Sequence, residues 1–126
     1  MITDEFEKDI AKFLNEETSR VPNYLAVGTT AITAYGPTDT DCDGEIGTRL
    51  ALSNSRVDNV VEYSAIRSGA TVIDTASGDS YGSVALFNTI TQSTTDPSEV
   101  GIAVSGVTQT TNFDVEVVTN IRVNRA

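Results

Sequence analysis

Apolar residues recur at helical spacing in one part of this chain only. Phe6, Ile10, Phe13 and Leu14 fall three or four positions apart and make one stripe. Thr3 stands where an N-cap belongs, and Asp4 and Glu5 follow in the first turn, where the helix dipole favours anions. Asp4 and Lys8 form a favourable i,i+4 pair. The pattern predicts one helix over residues 3–18, stopped by Pro22, because the residue before a proline avoids the α region. Such a stripe has two uses. Amphipathic helices in small domains usually cover their own sheet, and the sharper reading is a docking helix for another subunit.

Beyond Pro22 the period changes to two. Thr, Ser, Val and Gly dominate, and apolar residues alternate with polar ones between turn signals. Strands are predicted over 23–28, 48–55, 59–66, 71–74, 81–90, 101–104 and 114–124. Arg56-Val-Asp-Asn reads as a hairpin turn, with Asp58 and Asn59 able to take positive φ. Ser77-Gly78-Asp79 and Thr95-Asp96-Pro97 are further turns. Phe113, Val115 and Val117 point one way and Asp114 and Glu116 the other; Thr119, Ile121 and Val123 continue the Val117 face. Val118 alone breaks the pattern, which predicts cover on both faces there. Short strands at regular spacing predict a mainly β protein, a sandwich or a barrel, and of the two the expectation is an antiparallel β-sandwich with one N-terminal helix. The division is residues 1–22 as helix and linker and 23–126 as the sandwich domain.

Charge narrows the partners. The chain carries 18 acidic and 8 basic residues, a net charge of −10, which disfavours nucleic acid and anionic membrane surfaces. No apolar run approaches the ~20 residues that span a bilayer, so no membrane insertion is expected. Only Lys8 and Lys12 are lysines. Many acids, few lysines and abundant Thr make a halophile-like composition, since concentrated salt screens carboxylate repulsion. The acidic N-terminus is not a secretory signal. With no histidine and one cysteine, an intramolecular disulfide and Ser–His or Cys–His pairs are excluded within the chain. Cys42 lies between acids, which disfavour its thiolate, so it reads as a small hydrophobe tucked under a loop. Glu62 and Asp114 are carboxylates that nothing in the sequence brings together around a substrate, and no enzyme is expected.

One segment carries candidate chemistry. Asp39-Thr-Asp-Cys-Asp-Gly-Glu-Ile matches the first eight positions of a calcium loop: Asp39, Asp41 and Asp43 at alternate places, Gly44 at the sharp turn, and the carbonyl of Glu45 next. The twelfth position, normally a bidentate Glu, is Leu50, and the flanks read as strands rather than helices. The candidate metal residues are therefore Asp39, Asp41, Asp43 and Glu45, against the plainer reading of a solvated acidic turn. No cofactor other than calcium is suggested.

The order of several short motifs resembles a family of small proteins encoded in the tail-gene regions of tailed bacterial and archaeal viruses. The matching residues are Pro22, Tyr24, Ala26, Val27, Gly28 and Thr29, then Asp39, Thr40, Glu45, Ile46 and Arg49. Leu86, Phe87 and Asn88 follow, and then Phe113, Val115, Val117, Ile121 and Val123. Cys42 departs from the usual aliphatic residue and Ala85 from the usual glycine, and the loop after Thr30 is long. The resemblance implies a virion structural part, not an enzyme: a component of the tail tip, baseplate or fibre attachment. Such a part is made in the host cytoplasm, resides in the virion, and contacts other virion proteins and copies of itself as a homo-oligomer. It also implies a Glu45–Arg49 pair. The composition would suit a virus of salt-loving archaea. The residues expected at contacts are Phe6, Ile10, Phe13 and Leu14 on the helix and Tyr35 in the loop. The alternative is a capsid turret or decoration protein, or a receptor- or carbohydrate-binding sandwich with calcium assistance, in which exposed Tyr35 and Tyr81 stack on sugar.

Overall fold

In the computed structural model, which describes residues 2–17, 21–29, 42, 44–90 and 98–124, one helix precedes seven strands. They are α1 (Asp4–Leu14), β1 (Tyr24–Gly28), β2 (Glu45–Ala51), β3 (Ser53–Val57), β4 (Val60–Arg67), β5 (Asp79–Phe87), β6 (Val100–Gln109) and β7 (Val115–Arg122). All strand pairs are antiparallel. One sheet has the order β2-β1-β5-β6 and the other β3-β4-β7. Residues of both sheets meet in one core: Leu25 and Val27 of β1, Val84 and Leu86 of β5, and Tyr63 and Ala65 of β4. The predicted mainly β class and its sandwich layering are what the strands form.

The chain changes sheet at Leu52, where one predicted strand, 48–55, becomes two. The Leu52 amide donates to the Asn23 carbonyl, and Ser53 begins the second sheet. Two-residue alternation then survives intact through the hairpin. Val57 pairs with Val60, and Asp58 between them takes φ 50°, a conformation its short polar side chain tolerates.

Several boundaries differ from the sequence pattern: β2 begins at Glu45 rather than 48, β5 spans Asp79–Phe87 rather than 81–90, and three further differences are larger. Residues 71–74 are not a strand: a 3-10 turn, Gly69–Thr71, is followed by a loop in which the Ile73 and Asp74 amides donate to the Asp79 carboxylate. Val72 and Ile73 have strand-forming side chains, but local hydrogen bonds to a carboxylate win. The predicted 101–104 strand extends from Val100 to Gln109. The helix ends at Leu14 rather than at 18 because the Glu17 amide reaches back to the Lys12 carbonyl and Glu16 to Phe13, with Glu16 at φ 57°. That is a Schellman ending with a glutamate in the place glycine usually takes.

At β1 and β5 both faces of the four-stranded sheet are covered. Ala26, Ala85 and Phe87 point away from the sandwich core, yet each is buried, packed with Cys42 in a second apolar cluster. The three-stranded sheet leaves its outer face open: Val118 is 47% exposed and Ile66 62% exposed. At 47% exposure Val118 is half covered, short of the cover on both faces that the broken alternation suggested.

Both edge strands of the larger sheet are bulged. Between the pairs Leu25–Leu50 and Val27–Ile46, Ala26 faces Gly47, Thr48 and Arg49, with Gly47 at φ 66°. Between Tyr81–Val107 and Ser83–Ala103, Gly82 faces Val104, Ser105 and Gly106, with Gly106 at φ 76°. In each case glycine supplies the left-handed backbone that turns the extra residues out of the ladder.

Candidate functional site

Thr3 ties α1 to the sandwich. Its hydroxyl accepts from the Phe6 amide at 3.3 Å, as an N-cap does, and is itself hydrogen-bonded to the carbonyls of Ser98 and Glu99. The Thr3 amide donates to the Glu99 carbonyl at 3.0 Å. The helix is thus pinned at its start.

Only one residue of the apolar stripe is used inside. Phe6 packs on the sandwich core, whereas Ile10 is 44%, Phe13 71% and Leu14 76% exposed. The commoner reading, a helix that covers its own sheet, fails for these three residues. The helix is anchored by Thr3 and Phe6 and turns the rest of its stripe outward. A groove of about 250 Å³ runs along this side between Phe6, Asp9, Phe13, Val21, Pro22 and Tyr63. Asp9 is buried there, and so are Tyr63 and Glu99 nearby. Burial, with the Glu99 charge adding to it, pushes the Tyr63 hydroxyl above its ordinary pKa. Asp9 could have been singled out from the pattern, since a charge at 9, between Phe6 and Phe13, interrupts an apolar stripe. Val21, Pro22 and Tyr63 come from other segments, and helical spacing carries no signal for them.

The acidic segment resolves into an ion pair at its described end. Glu45 and Arg49 lie four residues apart on β2, where a regular strand would separate them by roughly 13 Å. The Gly47 bulge folds that distance up. Arg49 Nε lies 3.1 Å from Glu45 Oε2 and Nη2 3.1 Å from Oε1. Arg49 also donates to the Thr89 carbonyl and lies over the Phe87 ring, 3.6 Å from its centre. The pair that the family resemblance implied is present, and it is a structural clamp that lays a guanidinium over an aromatic ring of the second cluster. Asp39, Asp41, Asp43 and Tyr35 lie outside the described residues. Among the described residues, no group of three or more His, Cys, Asp or Glu side chains could hold a metal.

A second buried arginine, Arg67 of β4, lies near the Gly47 bulge of β2. Arg67 Nη2 lies 2.7 Å from Asp79 Oδ2, and its Nη1 donates to Gln109 Oε1 at 3.2 Å. Tyr81 donates to the same Gln109 oxygen at 2.5 Å, and Gln109 Nε2 donates to the Arg67 and Phe113 carbonyls. Burial works against the Asp79 charge, but the amides of Asp74 and Ile73 and the Arg67 guanidinium outweigh it and hold its pKa below the ordinary value. Burial likewise opposes the Arg67 charge, and Asp79 and the Tyr81 hydroxyl overcome it. Burial raises the pKa of Tyr81 itself. Tyr81 is 5% exposed, so it offers no face for sugar stacking, contrary to the carbohydrate-binding expectation. The network is a satisfied polar core, with each partner engaged by structure rather than open to a substrate. Asp114 is also structural: it caps the Gly69 amide at 2.9 Å.

Cys42 is fully buried, its sulfur 3.1 Å from the Ser83 hydroxyl, which is the tucked hydrophobe the sequence suggested. Among the described residues, no helix is long and apolar enough to cross a membrane.

Taken together, the fold is an antiparallel β-sandwich bearing an anchored helix with an uncovered apolar side. No family model, curated protein or solved structure matches the chain.

Proposed function

We propose that this chain is a structural subunit of a tailed-virus particle, placed in the tail tip, baseplate or fibre-attachment region, and that α1 docks it onto a neighbouring virion protein. One observation carries the reading: Ile10, Phe13 and Leu14 are exposed on a helix that is pinned in place by Thr3 and Phe6. Isolated exposed apolar residues are ordinary, but a stripe of them beside an apolar groove marks an interaction surface. The ordered motifs from Pro22 to Val123 supply the viral context. The arrangement asks for rigid presentation rather than chemistry, and two clamped arginines provide that rigidity.

The test is co-fractionation. Lysates of infected or induced cells are resolved on a density gradient and probed for this chain. It is expected in the particle band, and a Phe13→Asp, Leu14→Asp double variant is expected only in the soluble fractions. Wild-type chain found solely in soluble fractions, beside intact particles, counts against the reading.

A further inference from the structure

We infer that β7 is a self-pairing edge, through which two copies of this chain join antiparallel about a two-fold axis at Thr119. β7 ends the smaller sheet and pairs with β4 on one side. The Val123 amide donates to the Asn59 carbonyl, which continues the β4–β7 register and sets its phase. Hydrogen-bonded and non-hydrogen-bonded pairs alternate along an antiparallel ladder. The odd-numbered residues of β7 therefore bond to β4, and Glu116, Val118, Asn120 and Arg122 turn their N–H and C=O groups outward. The side chains of these four residues are exposed. Among the described residues, no strand pairs with β7 on that side. The edge opens instead on an apolar cleft of about 240 Å³, lined by Ile102, Val104 and Val107 of β6 and by Val117, Val118 and Thr119 of β7.

Two observations name a second copy as the occupant. The first is the charge and apolar pattern of β7 itself. When β7 pairs with its copy about Thr119, Glu116 stands opposite the partner's Arg122, and Arg122 opposite the partner's Glu116. Val117 and Ile121 meet in the same reciprocal way on the face turned toward the larger sheet, and Val118 with Asn120 is the one mixed pair. Opposite charges and apolar pairs directly across a ladder attract, whereas like charges there repel, and none are opposed here. A contact about a two-fold axis requires such self-complementarity. Chains of net charge −10 repel at a distance, so they meet best where acid is matched by base.

The second observation is Thr119. Its residue is 5% exposed, yet among the described residues its hydroxyl has no hydrogen-bond partner. A buried polar group without a partner costs stability. On the axis, Thr119 meets the partner's Thr119 in a non-hydrogen-bonded pair, where facing side chains come closest, and each hydroxyl can engage the other. The joined edges make one six-stranded sheet in the order β3-β4-β7-β7-β4-β3. This contact is separate from the α1 docking surface.

Light scattering of the full chain at 0.15 M salt tests it, where charges beyond about 8 Å are largely screened and directly opposed ones are not. The wild-type mass should be twice 13.4 kDa and should fall on dilution. Glu116→Arg and Arg122→Glu each set like charges opposite one another and should halve the mass. The two together restore the match and should restore the mass, while Phe13→Asp with Leu14→Asp should leave it unchanged. In the wild-type chain, amide exchange at Glu116, Val118, Asn120 and Arg122 should slow as concentration rises, a readout that needs no variant. A wild-type chain that stays at 13.4 kDa, single variants that remain dimeric, or a double variant that stays monomeric overturns the inference.

Discussion

β5 and α1 are of similar length and have opposite fates. Eight of the nine residues of β5 are buried, because sandwich core lies on one side of it and the Cys42 cluster on the other. α1 has a clear apolar stripe and buries mainly Phe6 and Asp9 against the body. The difference teaches that periodicity reports which side chains share a side, not what covers that side. β5 stabilises the molecule. The outer part of α1 offers apolar surface that the isolated fold does not need.

The contrast is broken most severely at the polar end of β5. Asp79→Asn leaves Arg67 charged and buried without its counter-ion, and is expected to cost about 3–5 kcal/mol in chemical denaturation. The sign of its pH dependence follows from the depressed Asp79 pKa. The unfolded chain takes a proton near the ordinary value of 3.8 while the folded chain holds out lower, so the ion-pair contribution is present above that pH and lost below it. The gap between wild type and Asp79→Asn should therefore narrow as pH falls below about 4. Next comes the apolar side of the same strand. Leu86 is fully buried, and Leu86→Ala should destabilise by about 2–5 kcal/mol. On α1 the effects shrink. Glu16→Gly relieves a left-handed backbone and should stabilise by about 0.5–1 kcal/mol, read as a small rise in melting temperature. Phe13→Ser with Leu14→Ser should change stability by no more than about 0.5 kcal/mol per site, since neither side chain is covered. A loss of several kcal/mol there would mean that α1 packs like β5 and would erase the comparison.

Much of the architecture was legible because it rests on local chemistry. The Thr3 cap, the Asp58 turn and the alternation of Val115, Val117, Thr119 and Ile121 each follow from one residue type in one place. The misread parts depend on competition. Glu16 ends α1 although nothing in its side chain announces a helix stop, and Ile73 leaves strand geometry because a carboxylate six residues on takes its amide. The site was half legible. The stripe from Phe6 to Leu14 could be found, and the Glu45–Arg49 pair was implied by a family pattern. Asp79 and Gln109 are brought opposite each other by strand pairing, and Arg67 reaches both from the other sheet, so the three meet only in the folded sandwich. Charged residues in strands look solvated until a fold closes over them.

The most direct measurement is hydroxyl-radical footprinting of Phe13 and Leu14 in the free chain and in assembled particles. The account predicts strong labelling of both in the free chain and protection of both on assembly, with Leu86 protected throughout. Equal labelling of Phe13 and Leu14 in both states would contradict the claim that this side of α1 is the docking surface.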